Sequence, residues 1–208
     1  MSKPRIVGVS GNLQRPSRTR TLVEALGRAV AHSARIDLQI FDLVDVTPGL
    51  GACLSRASMP LPLARLVEHI ETADALIVGS PTYKGSYSGL FKHLFDLVEP
   101  RALAGKPVAL VATGGGPRHA LMVEHSLRPL FGFFTALTVP TAVYASETDI
   151  ADGVVVDPAV RLRIEEAAVQ LVHLLPSAAD LAARVPGAAL AVPFAPRLPA
   201  TAHRSSSL

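Results

Sequence analysis

ALIVGSPTYKGSYSGLFKHLFDLVEPRALAGKPVALVATGGGP, residues 75–117, is the stretch on which the fold turns. Its two ends, Ala75 to Gly79 (ALIVG) and residues 107–112 (PVALVA), are short continuous apolar runs. Runs of that length and composition are strands covered on both faces. Between them lie a loop at 80–87 and a helical apolar pattern at about 88–98, and the second run ends in a glycine-rich loop at 113–117. Strand, helix and strand in that order imply parallel pairing through a right-handed crossover.

The alternation continues outward in both directions. Arg5 to Val9 (RIVGV) reads as a strand, Thr19 to Ser33 as a helix, and residues 36–42 (IDLQIFD) as an alternating strand. A loop with Pro48, Gly49 and Gly51 precedes a helix at about 62–72. After the central unit come a helix at about 118–136, a strand at 139–145 and a helix at about 158–175. Five strands alternating with five helices predict an α/β protein with a doubly wound five-stranded parallel sheet, order 2-1-3-4-5, the flavodoxin-like arrangement.

The 208 residues fit one such domain, expected over 1–175. From Pro176 to Ala202 the chain holds ten Ala and five Pro, which predicts an extended or mobile tail over 176–208. Hydrophobic residues at 49% and charged residues at 18% exclude a chain disordered throughout. No apolar stretch is long enough to span a membrane and the N-terminus lacks a signal-peptide pattern, so the protein is expected in the cytoplasm. The single cysteine, Cys53, can build neither an internal disulfide nor a Cys-rich zinc site. A net charge of +3 gives little support to nucleic-acid binding. Residues 1–35, however, hold seven basic residues and one acid, a local +6 that predicts an anion near the N-terminus.

In an open parallel sheet ligands sit beyond the carboxyl ends of the strands, here the loops after strands one, three and four. The first, Ser10 to Thr21 (SGNLQRPSRTRT), brings Asn12, Ser17, Thr19, Thr21 and three arginines to a helix N-terminus, a setting for a phosphate. It is neither a Walker loop nor a G-x-G-x-x-G loop; the plain alternative is a helix cap with solvated arginines. The second, Ser80 to Gly89 (SPTYKGSYSG), offers two tyrosines, Tyr83 and Tyr87, as flat surfaces. The third, Thr113 to Pro117 (TGGGP), lets main-chain amides approach a ligand edge. Together they suit a flat aromatic ring with polar rims.

SGNLQRPSRTRTL, SPTYKGSYSGLFKHLFDL and ATGGGPRHALMVEHSLRPLF resemble the NAD(P)H-dependent FMN reductase family over about residues 4–150, above all its sulfonate-utilisation branch of methanesulfonate and alkanesulfonate FMN reductases. The resemblance implies FMN, with NADH or NADPH as co-substrate, and transfer of reduced flavin to a partner monooxygenase. By motif, Asn12, Ser17, Arg18, Thr19 and Thr21 would hold the FMN phosphate. Pro81, Thr82, Tyr83, Lys84, Gly85, Ser86, Tyr87 and Ser88 would line the flavin ring, and Thr113, Gly114, Gly115 and Gly116 would meet its pyrimidine edge. Where the commoner family loop reads Gly-Ser-x-Arg, this chain has Gly11, Asn12, Leu13 and Gln14, leaving Arg15 or Arg18 as the substitute cation. Hydride passes directly between stacked rings in this chemistry, so no catalytic side chain and no metal are assigned.

In the sulfonate branch the position resembling His125 is an extra residue forming a π-helical bulge near the flavin and the subunit interface; the alternative is an ordinary surface histidine. Pro129 is expected to bend the same helix independently. His119 and His125, six residues apart, do not make an i, i+4 metal pair, and Lys92 with Asp96 reads as a solvated ion pair. The apolar run Leu130 to Leu137 suggests a homodimer or homotetramer. Two other activities stay open on the residues alone: a quinone or azo reductase with tightly held FMN, and a non-catalytic flavodoxin-type electron carrier.

Overall fold

Solvent reaches little of the three central strands. β1 (Arg5–Ser10), β3 (Ala75–Pro81) and β4 (Pro107–Gly114) are buried along nearly their whole length, while β2 (Asp37–Asp42) alternates as an edge strand does. The computed structural model describes residues 3–177, so from residue 178 onward the expected tail lies outside the described residues. Within them the strands run parallel in the order β2-β1-β3-β4, and the fifth position is shared by two short pieces, β5 (Leu137–Thr138) and β6 (Val143–Ser146), each parallel to β4. The doubly wound order 2-1-3-4-5 therefore stands.

The expected single strand at 139–145 is divided because of Pro140. The Val139 amide still bonds Val108 O at 2.9 Å, but proline has no N–H and the ladder lapses. Gln170 fills the gap, accepting from the Thr141 amide at 2.8 Å and donating to Thr141 Oγ1 at 2.9 Å. β7 (Ile150–Ala151) and β8 (Val154–Val155) form a small antiparallel pair beyond the sheet.

Alternation along the strands sorts side chains into two cores. Ile6, Ala75, Ile77, Ala109 and Val111 face α1 (Arg18–Ser33) and α6 (Pro158–His173). Val7, Val9, Leu76, Val78 and Leu110 face α2 (Thr47–Ala52), α3 (Leu61–Thr72), α4 (Gly89–Asp96) and α5 (Arg128–Phe133). In α1, Leu22, Val23, Leu26, Ala29 and Val30 recur three or four residues apart and bury one stripe. A Cβ at Gly79 would lie 2.6 Å from Val111 Cγ2 and 2.8 Å from Val23 Cγ2, so α1 reaches this depth only over a glycine.

The expected helix at about 118–136 breaks into three pieces. These are a 3-10 turn at Pro117–His119, a π-helical turn at Val123–Leu127 and α5. His125 is the middle residue of the π turn, whose i→i−5 bond runs from the Arg128 amide to Val123 O. Pro129 supplies a physical reason: in an α-helix its ring would collide with the carbonyl of residue 125, and the wider π turn moves that carbonyl aside. Bulge and proline thus adjoin, and the wide turn accommodates the Pro129 ring.

Candidate functional site

The loops after β1, β3 and β4 open on one edge of the sheet, beside the reversal of strand order at β1 and β3. The first is fastened from beneath. Gly11 N donates to Gly79 O (2.7 Å), Ser10 Oγ to Asn12 Oδ1 (2.6 Å) and Asn12 Nδ2 to Gln14 O (2.9 Å). Asn12 is buried, so it shapes the loop from inside. The Arg15–Pro16 peptide is cis. The backbone amides of Leu13, Gln14, Ser17, Arg18 and Thr19 have no acceptor among the described residues, and Ser17 Oγ caps α1 by accepting the Arg20 amide at 3.2 Å. Unpaired amides running into a helix N-terminus are what a phosphate binds.

Two of the expected hydroxyls are committed elsewhere. Thr19 is 2% exposed with Oγ1 2.6 Å from Thr113 Oγ1, and Thr21 Oγ1 donates to Ser17 O at 3.2 Å. At position 19 the group left for a ligand is the backbone amide. The Thr19–Thr113 bond also fixes the first loop against the third.

Two of the first loop's three arginines, Arg15 and Arg20, are paired with acids that include the distant Asp42 and Asp45. Arg15 grips Asp42 with two bonds (Nε to Oδ2 2.8 Å, Nη2 to Oδ1 2.7 Å) and reaches Asp45 at 2.7 Å. Arg20 bonds Asp42 at 2.9 Å and Glu24 at 2.8 Å. Burial alone would raise the Asp42 carboxyl, but the hydrogen bonds from Arg15 and Arg20 hold it below its ordinary value. Arg18 comes only within 3.9 Å of Glu147, both side chains being about half exposed. Of the two candidate cations, Arg18 is the one available.

In the second loop Tyr83 and Ser86 exchange backbone bonds (2.8 and 3.2 Å) around Lys84 (φ 53°) and Gly85 (φ 89°), a tight turn with both central residues left-handed. Tyr83 is exposed at the tip, and Tyr87 leans on Phe91 with ring centroids 5.9 Å apart. Ser88 turns inward instead of toward a ligand: it is fully buried, donates to Gly11 O (3.1 Å) and caps α4 by accepting the Phe91 amide (3.3 Å). Thr82 N donates to Thr113 O at 2.7 Å, while Thr82 Oγ1 is buried with no partner among the described residues.

The amides of Gly115 and Gly116 have no acceptor among the described residues, and a Cβ on either would meet nothing within 4 Å. Gly114 is the opposite case: its Cβ would stand 2.4 Å from Tyr144 Oη. Tyr144 Oη donates to Gly116 O at 2.6 Å, and burial pushes the phenol above its ordinary value, so it remains a donor at neutral pH. Tyr144, Asp42 and Asp45 are the residues that sequence reasoning passes over. The first stands at the carboxyl end of the last strand, where a ligand-edge role could have been read; the acids carry no local signal. The open space before Gly115 and Gly116, the unpaired amides of both loops and Arg18, held only by its 3.9 Å contact with Glu147, fit a phosphorylated planar ligand such as FMN.

Beside Tyr87 a groove of about 650 Å³ is lined by Phe95, His125, Pro129, Leu130, Phe133 and Phe134. Phe133 is 71% exposed there. Lys92 and Asp96 form the expected solvated pair at its rim.

The NADPH-dependent FMN reductase family matches residues 4–150. The chain is 46% identical to the FMN reductase (NADPH) of Pseudomonas aeruginosa over 182 residues, 87% of this chain and 98% of that one. It is 47% identical to the NADH-dependent FMN reductase SfnF of Pseudomonas fluorescens over 169 residues, 81% and 90% of the two chains. A solved oxidoreductase from Corynebacterium diphtheriae superposes with a TM-score of 0.75 at 30% identity, covering 83% of this chain and 97% of that one.

Proposed function

The chain belongs to the NADPH-dependent FMN reductase family and transfers hydride from NADH or NADPH to FMN; from that premise we propose that it supplies reduced flavin to a separate flavin-dependent sulfonate monooxygenase. In this reading FMN is a dissociable substrate. The observation that carries it is the pairing of two sets of unpartnered amides, Arg18 with Thr19 and Gly115 with Gly116, on loops fixed together through Thr19 and Thr113. One set suits a phosphate, the other the polar edge of a ring. The sulfonate link rests on the likeness of all three loops to that branch.

Bound FMN would supply the ring that accepts hydride from the nicotinamide. The protein aligns and polarises. Ser17, the amides of Arg18 and Thr19, and the Arg18 guanidinium would hold the phosphate, while residues 81–87 line the ring. Amides of Gly115 and Gly116 would favour the negative charge that builds on reduction, a preorganised-dipole effect. Tyr144 occupies the Gly116 carbonyl, which keeps the N–H groups of that loop turned to the ligand. No side-chain acid or base is required.

We place the exchange in the cytoplasm, where reduced nicotinamides are at hand, and read the groove at Phe133 as covered by a second copy in a homodimer or homotetramer. Among the described residues no helix is long and apolar enough to cross a membrane. The test couples the protein to a sulfonate monooxygenase through free FMN alone. Sulfite release on adding NADH or NADPH is the expected result; quinone reduction outpacing FMN reduction, with no sulfite, would overturn the reading.

A further inference from the structure

Asp42 is the last residue of β2, in register with Ser10 at the end of β1, so it stands beside the start of the phosphate loop. Its side chain has no solvent exposure, yet it binds two guanidiniums and also accepts the Val44 amide at 3.2 Å. Around it Arg15, Arg20 and Arg28 (three positive charges) face Asp42, Asp45 and Glu24 (three negative charges), so the cluster sums to zero. Arg20 and Arg18, two positions apart on α1, point to different partners: Arg20 to the end of β2, Arg18 toward Glu147 after β6.

We propose that Asp42 is a positioning residue that sets flavin specificity: by holding Arg15 and Arg20 it withholds their charge from the phosphate site and leaves Arg18 to meet the anion. This rests on the reading of residues 11–19 as the FMN phosphate site. A loop carrying three arginines would otherwise bind a phosphate dianion tightly, which opposes release of the flavin. The buried carboxylate converts two of the three into scaffolding. The FMN release that the proposed function requires and the shape of the loop then have one cause. A charge-assisted, two-bond contact from Arg15 is geometrically specific, so the guanidinium does not swing to a ligand while the carboxylate is ionised. The depressed Asp42 carboxyl agrees, since it stays ionised throughout the neutral range.

The test measures affinities for FMN and riboflavin, which differ in the phosphate, and follows their ratio. Asp42→Asn gives the cluster a net positive charge, and the preference for FMN should rise roughly threefold to tenfold at low salt and shrink as salt screens it. Asp45→Asn should move the ratio the same way by less; Asp45 is 63% exposed, so that variant folds and decides the matter alone if Asp42→Asn does not. Adding Arg15→Gln to Asp42→Asn restores neutrality and should return the ratio to within about twofold of the parent. Two results overturn the proposal: an unchanged or lower ratio in every single variant that folds, or a double variant far below the parent, which would make Arg15 a phosphate ligand. A parent protein that binds riboflavin as tightly as FMN would instead remove the phosphate site itself.

Discussion

Gly114→Ala probes the junction of the second, third and last strand-end loops. A Cβ there would stand 2.4 Å from Tyr144 Oη, 3.2 Å from Thr82 Oγ1 and 3.3 Å from Thr82 Cβ, so something must move. The strand end is held on both sides, Gly114 against Ser146 and Thr113 against Pro81, with Thr82 N on Thr113 O. The phenol is the softer element. Displacing it breaks the Tyr144–Gly116 bond, worth about 1 kcal/mol, and overpacking adds about 1–3 kcal/mol, for a destabilisation of roughly 2–4 kcal/mol. Urea unfolding at unchanged slope reads this directly. Tyr144→Phe alone should cost about 1 kcal/mol, and because it removes the obstructing oxygen the double variant should be more stable than the sum of the singles by roughly 1–2 kcal/mol. Both single variants should raise the KM for FMN by loosening Gly116. A Gly114→Ala protein within about 0.5 kcal/mol of the parent, or strictly additive energies, would refute the crowding of Gly114 by Tyr144.

Ser17→Ala should weaken FMN by roughly 1.5–3 kcal/mol and leave riboflavin unchanged in a fluorescence titration; equal losses would remove Ser17 from the phosphate site. Thr19→Val should instead leave Thr113 unpaired, destabilise the fold by about 1–3 kcal/mol and lower both affinities alike; a selective loss of FMN would show that the hydroxyl faces the ligand. Deleting His125 should relax the π turn toward α geometry and give a yellower protein that accepts hydride but releases little reduced flavin, with His125→Ala milder because it keeps the residue count. A deletion variant with parental FMN exchange returns His125 to a surface role. Asp42 and Glu124 are held below their ordinary values of 3.8 and 4.5, so the folded state binds fewer protons than the unfolded one in acid. Their stabilisation is complete above the ordinary carboxylate range and is lost as pH falls through the folded values; Asp42→Asn should flatten that acid slope, and an unaltered slope would contradict the pairing.

Burial made the central strands legible: Ala75 to Gly79 and residues 107–112 are apolar throughout because helices cover both faces. The three loops were legible for a related reason, since a parallel sheet brings their ends together whatever their composition. The period of apolar residues cannot tell one π turn from an α turn, so the π turn at Val123–Leu127 is legible only through the resemblance at His125, and Pro129 by itself reads as a bend. Side-chain commitments were hidden by sequence distance. Thr19 meets Thr113 94 positions away, and Arg15 meets Asp42 27 positions away, so hydroxyls and cations that looked free for a phosphate are partly structural. Composition placed an excess of charge near the N-terminus; only the fold showed where its counter-charges lie.

The most direct test of flavin release is filtration under anaerobic conditions. A small amount of protein is mixed with NADH or NADPH and a large excess of FMN, and the mixture is passed through a membrane that retains the protein. A dissociable-substrate reductase should put many equivalents of reduced flavin per protein chain into the protein-free filtrate, at a rate set by turnover. Reduced flavin confined to about one equivalent in the retained fraction, with a quinone added to the same mixture reduced catalytically, would contradict the account.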